Sequence, residues 1–133
     1  MADLSQTATS VVRSDGGTKV VVWGEAVTAG MPVYLHTDSK YYKAQSDGTL
    51  AQATVAGIAL SGGSTGQTGV IQVGGSINVG ATLTKGTIYY VSTNAGGICP
   101  FADLGSGNYV HQLGQATSTS LLAMSVNNSG ITI

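Results

Sequence analysis

The chain contains one pattern twice, and this repeat constrains its fold more than any other feature. The first copy is GEAVTAGMPVYLHTD at residues 24–38, and the second is GATLTKGTIYYVSTN at residues 80–94. At a constant offset of 56 the identical pairs are Gly24/Gly80, Thr28/Thr84, Gly30/Gly86, Tyr34/Tyr90 and Thr37/Thr93. Neither copy is long enough to bury an apolar face by itself. The repeat therefore predicts two related hairpin units, near residues 24–61 and 80–118, that pack together.

Short apolar runs separated by turn residues predict the fold class. Runs such as TKVVVW, PVYLHT, TVAGIAL, GVIQV and TIYYVS begin about 8–12 residues apart, a spacing typical of sandwiches and barrels. The connecting stretches, such as SDG and NAGG, are rich in residues that tolerate positive φ. No long window has an apolar period of 3.6 residues. We therefore expect an all-β domain, a small β-barrel or β-sandwich.

Four glycines are predicted to be structural turn residues. Gly30 and Gly86 each follow a threonine and one further residue and precede an apolar strand, where the chain must turn sharply. Gly57 and Gly114 occupy matching places in VAGIALS and QLGQATS, at an offset of 57 that implies one extra residue in the second copy. We expect Gly30 and Gly86 to have a backbone conformation that rejects a side chain.

The first seventeen residues differ in composition from the rest of the chain. They are polar and rich in small residues, and they end in SDGG. We expect residues 1–17 to be a mobile, extended N-terminal arm and residues 18–133 to be a single β domain. The segment has no basic stretch followed by an apolar core, so it does not resemble a secretory signal.

The scarcity of charge bears on what the protein contacts. Only 8% of residues are charged, against roughly 25% in an average domain. Such a chain either hides much of its surface in an assembly, which we favour, or solubilises it with hydroxyl and amide groups. A net charge of −1 without a basic cluster argues against nucleic-acid binding. No apolar run reaches the ~20 residues that a membrane span needs.

Enzymatic patterns are present but weak. GGSTG at residues 62–66 matches a nucleophile elbow centred on Ser64, and Asp103 and His111 follow in the order of α/β-hydrolases. The helix that such an elbow requires is missing from the sequence, because QTGVIQVGG predicts a strand. A glycine-rich stretch at the same place lacks the lysine of a phosphate-binding loop. We expect no catalysis, no cofactor and no metal site, with Ser64 in an exposed loop.

Aromatic side chains are the candidate contact residues. Adjacent tyrosines on a strand point to opposite faces, so one member of each pair is expected at the surface or in a subunit contact. The candidate interface residues are Trp23, Tyr41, Tyr42 and Tyr89. The alternative, that these rings cover strand edges and cross-strand neighbours, is the one we favour.

The chain from about residue 18 to residue 130 resembles small virion proteins of tailed bacteriophages. The resemblance rests on GEAVTAGMPVYL, ATVAGIALSGGSTGQTGVIQVGG, GATLTKGTIYYVSTNAGGICP and YVHQLGQATSTSLLAMSVNNSGI. These motifs are shared by capsid decoration (cement) proteins and by β-rich modules of head or tail fibres. The resemblance implies a β-barrel or β-tulip-like module, usually trimeric, clamped on the outer capsid surface with its N-terminal arm along the lattice.

The expected function is therefore structural. The protein would be made in the host bacterial cytoplasm, form a homotrimer, and bind the major capsid protein on the outer surface of the virion to stabilise the shell. One alternative is a carbohydrate- or receptor-binding module of a phage head or tail fibre. Another is an enzyme, chiefly the hydrolase considered above.

Overall fold

The architecture is that of a computed structural model, which describes residues 3–133. Within these residues the chain forms short strands, one helical turn and two 3-10 turns, at Ala8–Ser10 and Phe101–Asp103. The elements are β1 (Val11–Arg13), β2 (Thr18–Val22), β3 (Pro32–Leu35), β4 (Tyr41–Lys43), α1 (Leu50–Ala53), β5 (Gly57–Ala59), β6 (Thr68–Gln72), β7 (Gly75–Val79), β8 (Ile88–Val91), β9 (Ile98–Pro100), β10 (Tyr109–Ala116) and β11 (Leu121–Thr132). The prediction of an all-β fold is confirmed.

The strands form two antiparallel sheets with the same internal order. One sheet has the order β2-β6-β5-β3-β4, and the other has the order β1-β7-β11-β10-β8-β9 and curls into a half-barrel. Apart from β1, the two sheets have the same strand order. The strands β7, β11, β10, β8 and β9 of the second sheet take the places of β2, β6, β5, β3 and β4 in the first. We call β2–β6 the first unit and β7–β11 the second unit.

Backbone hydrogen bonds repeat between the units at the predicted offsets. The Gly30 N–H donates to the Ala59 carbonyl over 2.7 Å, and the Gly86 N–H donates to the Ala116 carbonyl over 2.8 Å. In the strands that follow, Tyr34 is paired with Tyr42 and Tyr90 with Cys99, at matching register positions. The prediction of two related hairpin units is therefore confirmed in the backbone.

The two units pack asymmetrically. The larger core cluster contains buried side chains from both units. Most come from the second unit, and the first unit contributes Tyr34, Ala44, Val55 and Ile58. A smaller cluster fills the first unit itself and consists of Val21, Trp23, Val27, Val33, Tyr41, Ala59 and Ile71. Alternation along β3 divides its side chains, so that Val33 enters the smaller cluster and Tyr34 the larger one. Equivalent strand faces therefore have different neighbours in the two units.

The N-terminal segment is part of the sheet, so the expectation of a mobile arm is wrong for residues 3–17. β1 pairs antiparallel with β7, with Val11 opposite Val79. The Leu4 N–H donates to the Ile98 carbonyl over 2.9 Å. The Gln6 side-chain amide donates to the carbonyls of Gly30 and Val79, one in each unit. These bonds hold the segment against both units, and residues 1 and 2 of the predicted arm lie outside the described residues.

Candidate interaction surface

Two of the predicted turn glycines have the conformation expected of them. Gly30 has a φ of 94° and Gly86 a φ of 87°, in the left-handed region that favours glycine. Space differs between the two positions: a Cβ on Gly30 would lie 2.6 Å from the Gln6 amide nitrogen, whereas a Cβ on Gly86 would meet nothing within 4 Å. Both units therefore have the same turn, but only at Gly30 does a neighbouring side chain, that of Gln6, also leave no room for a Cβ.

The other two predicted turn glycines are not in turns, and this part of the prediction is wrong. Gly57 lies in β5 and Gly114 in β10, both buried. A Cβ on Gly57 would lie 2.5 Å from the Gln72 carbonyl oxygen, and one on Gly114 would lie 2.1 Å from the Ala123 carbonyl oxygen. Glycine is needed here because the neighbouring strand approaches closely, which local sequence does not reveal.

Three of the four candidate interface residues are core residues, so that assignment is corrected. Trp23, Tyr41 and Tyr89 are buried: the first two fill the smaller cluster and Tyr89 the larger one. These three rings therefore pack inside the molecule and are not available for a subunit contact. Alternation still operates, because the second member of each tyrosine pair, Tyr42 or Tyr90, is the half-buried one.

Tyr42, the fourth candidate, lies in a small aromatic cluster at the β3–β4 hairpin. Its ring stacks on Tyr34 with centroids 5.8 Å apart, and His36 meets it edge-on at 5.2 Å. A Cβ on Gly24 would lie only 2.2 Å from the ring, so glycine backbone also contacts it. The hydroxyl donates to Asp38 over 2.5 Å, which lowers the pKa of Asp38 and raises the pKa of Tyr42. The half-buried ring is thus partly covered by its own chain.

The hydrolase pattern is not supported by its surroundings. Ser64 is exposed in the connection between β5 and β6, so strand follows strand where an elbow requires a helix. His111 is fully buried in β10, and both ring nitrogens have backbone partners: Nδ1 lies 2.5 Å from the Ala53 carbonyl oxygen, and Nε2 accepts from the Gly130 N–H. A histidine held in this way joins α1 to the end of β11.

One exposed surface is formed by the N-terminal segment, and we call residues 5–14 with the adjoining groove the N-terminal face. Val12 on β1 is 58% exposed, and residues 7–10 are exposed beside it. A groove of about 390 Å³ follows the segment and is lined by Ser5, Thr7, Ser10, Asn78, Gly80, Ala81, Thr82, Thr119 and Ser120. None of the groove-lining side chains is charged, so the face combines the exposed Val12 with hydroxyl and amide groups, and Arg13 on β1 is its one charged side chain.

A second exposed surface follows the outer edge of β2, and we call it the β2 edge. Val20 is 68% exposed and Leu35 is 52% exposed, although both belong to strands. A groove of about 430 Å³ lies beside the strand, lined by Lys19, Val20, Val21, Val22, Leu35, Ser39, Tyr41 and Thr68. The Lys19 ammonium lies 5.7 Å from the centre of the Tyr41 ring. The sequence analysis did not predict this surface, because its candidate contact residues were all aromatic and the exposed side chains here are Val20 and Leu35.

The comparisons with known proteins add no assignment to this geometry. No family model and no curated protein matches the chain. Within residues 3–133 no helix is long and apolar enough to cross a membrane. The same residues contain no group of three or more histidine, cysteine or acidic side chains placed to hold a metal ion.

Proposed function

We propose that the protein is a structural component of a tailed-phage virion that binds the outer capsid surface and stabilises the shell. The observation that carries the proposal is the surface composition. Among residues 3–133, ten large apolar side chains are exposed, and only 8% of the chain's residues are charged. These side chains are Val12, Val20, Val22, Leu35, Leu50, Val73, Ile88, Phe101, Ile131 and Ile133. Protein surfaces normally carry many more charges. Coverage by an assembly would remove these apolar groups from water.

The N-terminal face is the surface that we assign to the shell. The sequence resemblance implies that the N-terminal segment lies along the capsid lattice, and this expectation supports the choice. Here the segment is fixed to both units by the Gln6 amide and the β1–β7 pairing, so little conformational entropy would be lost when it docks. Uncharged hydroxyl and amide groups beside Val12 suit a wet contact with another protein surface. The major capsid protein would be the partner and the homotrimer the bound form.

The carbohydrate-binding alternative has less support from the aromatic residues. Sugar-binding sites use ring faces that are open to the ligand. The half-buried Tyr42 ring is partly covered by Gly24 and Tyr34, and the ring centroids of Tyr90 and Phe101 lie 5.7 Å apart. A fibre module of this fold would therefore need another kind of binding surface.

Binding to capsids tests the proposal. Capsids of the phage that encodes the chain, assembled without this protein, would be mixed with the purified protein and sedimented. We expect saturable co-sedimentation and a higher temperature of DNA release from filled particles. Val12→Asp should reduce binding at least tenfold, because it puts a negative charge in place of the exposed apolar side chain of the N-terminal face. Val73→Asp is the matched control, since Val73 is 44% exposed outside the N-terminal face. Absence of binding by the unaltered protein would refute the proposal.

A further inference from the structure

The tripeptide Ser-Asp-Gly occurs twice in the chain, at residues 14–16 and 46–48. These are the two places in the sequence where an aspartate or asparagine precedes glycine. Such a pair is chemically labile, because glycine has no side chain to keep the preceding carboxyl group away from its backbone nitrogen. When that nitrogen bonds to the carboxyl carbon, a succinimide ring forms and water is lost. Because the two tripeptides are identical, a difference in their reactivity has to come from the folded structure.

The first of these aspartates, Asp15, is exposed but firmly held. Its carboxylate oxygen Oδ1 accepts from the Ser76 N–H over 2.6 Å, and its own N–H donates to the Ser76 carbonyl over 3.2 Å. Its carbonyl accepts from the side-chain amide of the buried Gln72 over 2.7 Å. The next residue is packed as well, since a Cβ on Gly16 would lie 2.1 Å from the Gly74 carbonyl oxygen. These contacts fix the carboxyl group and the backbone, and ring closure requires both to move.

The second aspartate, Asp47, is held by much less. It lies with Gly48 in the exposed connection between β4 and α1. Its carboxylate accepts a hydrogen bond from the Gln45 amide over 3.2 Å, which is longer than the usual distance of about 2.9–3.0 Å. Within residues 3–133 no backbone group bonds to either Asp47 or Gly48. The carboxyl group is therefore free to turn onto the Gly48 nitrogen.

We propose that Asp47 converts spontaneously to isoaspartate in the folded protein, whereas Asp15 remains aspartate. The protonated Asp47 carboxyl group loses its hydroxyl and the Gly48 nitrogen loses its proton, so one water leaves as the ring closes. Water then opens the ring. Cleavage between the nitrogen and the original backbone carbonyl gives isoaspartate, and cleavage on the other side returns aspartate. One water is lost and one is regained, so the conversion needs no oxidant, reductant or other reactant.

The modified position lies between two anchored segments. On one side, the Ser46 N–H donates to the Ser92 carbonyl over 2.9 Å, and the Tyr109 N–H donates to the Ser46 carbonyl over 2.8 Å, which joins the first unit to the second. On the other side, Thr49 caps α1 through reciprocal hydrogen bonds with Gln52. Isoaspartate lengthens the main chain by one methylene between these anchors. We therefore expect it to disturb the cap and loosen α1.

Ageing of the full chain tests the inference without capsids, so the result is independent of the proposed function. The purified protein is incubated at neutral pH, digested, and analysed by chromatography with mass spectrometry. An isoaspartyl peptide keeps its mass, changes its retention and resists proteases that cleave before aspartate. We expect Asp47 to convert about tenfold faster than Asp15, the factor that corresponds to one or two hydrogen bonds of ordinary net strength.

Two controls isolate the role of the fold. In urea-unfolded protein both aspartates should convert at similar rates, because the Ser-Asp-Gly sequence is the same. Asp47→Glu retains the charge but disfavours closure, since the ring would be one atom larger. This variant should remain unmodified, and amide exchange at Gln52 and Ala53 should increase with age only in the unaltered protein. Equal conversion of Asp15 and Asp47 in the folded protein, or no conversion of Asp47 while the unfolded chain reacts, would overturn the inference.

Discussion

The packing of Trp23 against Gly69 allows a quantitative test of the smaller core cluster. Trp23 is the chain's one tryptophan and is fully buried. A Cβ added to Gly69 would lie 2.3 Å from the ring atoms Cε2 and Cζ2. Carbon atoms in contact are normally about 3.5–4.0 Å apart, so the ring would have to retreat by about 1 Å. Gly63 also lies close to the ring, since a Cβ added there would be 2.8 Å from the ring atom Cδ1.

We therefore expect Gly69→Ala to destabilise the protein by about 3 kcal/mol, the upper part of the usual range for overpacking. For a chain of this length that corresponds to a fall in Tm of about 10 °C, from an unfolding entropy of roughly 2.1 cal/mol/K per residue. Urea unfolding followed by far-UV circular dichroism measures the free energy in every variant. Gly74→Ala is the control, since a Cβ there would meet nothing within 4 Å.

A double-mutant cycle decides whether the tryptophan ring is the cause. In a Trp23→Phe background the smaller ring leaves room, so Gly69→Ala should cost less than about 1 kcal/mol there. The coupling between the two substitutions should thus be about 2 kcal/mol. If Gly69→Ala costs the same in both backgrounds, the steric argument is refuted and the effect belongs to the backbone of β6.

Three further predictions concern the turns, the buried thiol and the end of β11. Gly86→Ala should cost about 1–2 kcal/mol in urea unfolding because φ is positive, and Gly86→Asn should cost less; equal costs would contradict this. Burial raises the pKa of Cys99 from 9.0 to about 12, so its thiol should resist labelling at pH 8 until urea unfolds the protein. The stabilising effect of that neutral thiol is complete below pH 9 and is lost as the pH rises towards 12. Asn128→Ala should cost about 1–3 kcal/mol and increase amide exchange at Val55, since two hydrogen bonds to its backbone disappear; unchanged exchange at Val55 would show that the bonds do not form.

The sequence predicted the duplication because turn chemistry is local. A residue with left-handed backbone conformation before a strand is usually glycine. Gly30 and Gly86 therefore indicate the same turn in both units. The period of two along PVYL and IYYV likewise follows from the sequence, since alternation is a property of any strand. All-β structure and two related units were therefore predictable from residue types and spacing.

The candidate surfaces were much less predictable. Tyrosines were predicted at contacts because their rings are apolar and their hydroxyl groups polar. Tyr41 and Tyr89 are buried, however, whereas Val20 on β2 is exposed. An apolar run such as KVVVW predicts a strand but not whether another strand covers its outer edge. The tertiary structure decides this, because it places β1 along the outer edge of β7, whereas β2 meets β4 only at its end, through the bridge between Trp23 and Tyr41.

The sequence by itself determined the all-β character, the turns at Gly30 and Gly86, and the presence of two related units. Only the tertiary structure decided which face of each unit lies inside. Leu35 and Val91 occupy equivalent places, yet Leu35 is exposed beside the β2 edge and Val91 is buried between the sheets. The physical reason is the asymmetric packing of the two units. One face of the first unit covers the inner face of the second, and within residues 3–133 nothing covers the first unit in the same way. Alternation defines two faces of a strand, but burial is assigned by what packs against each face.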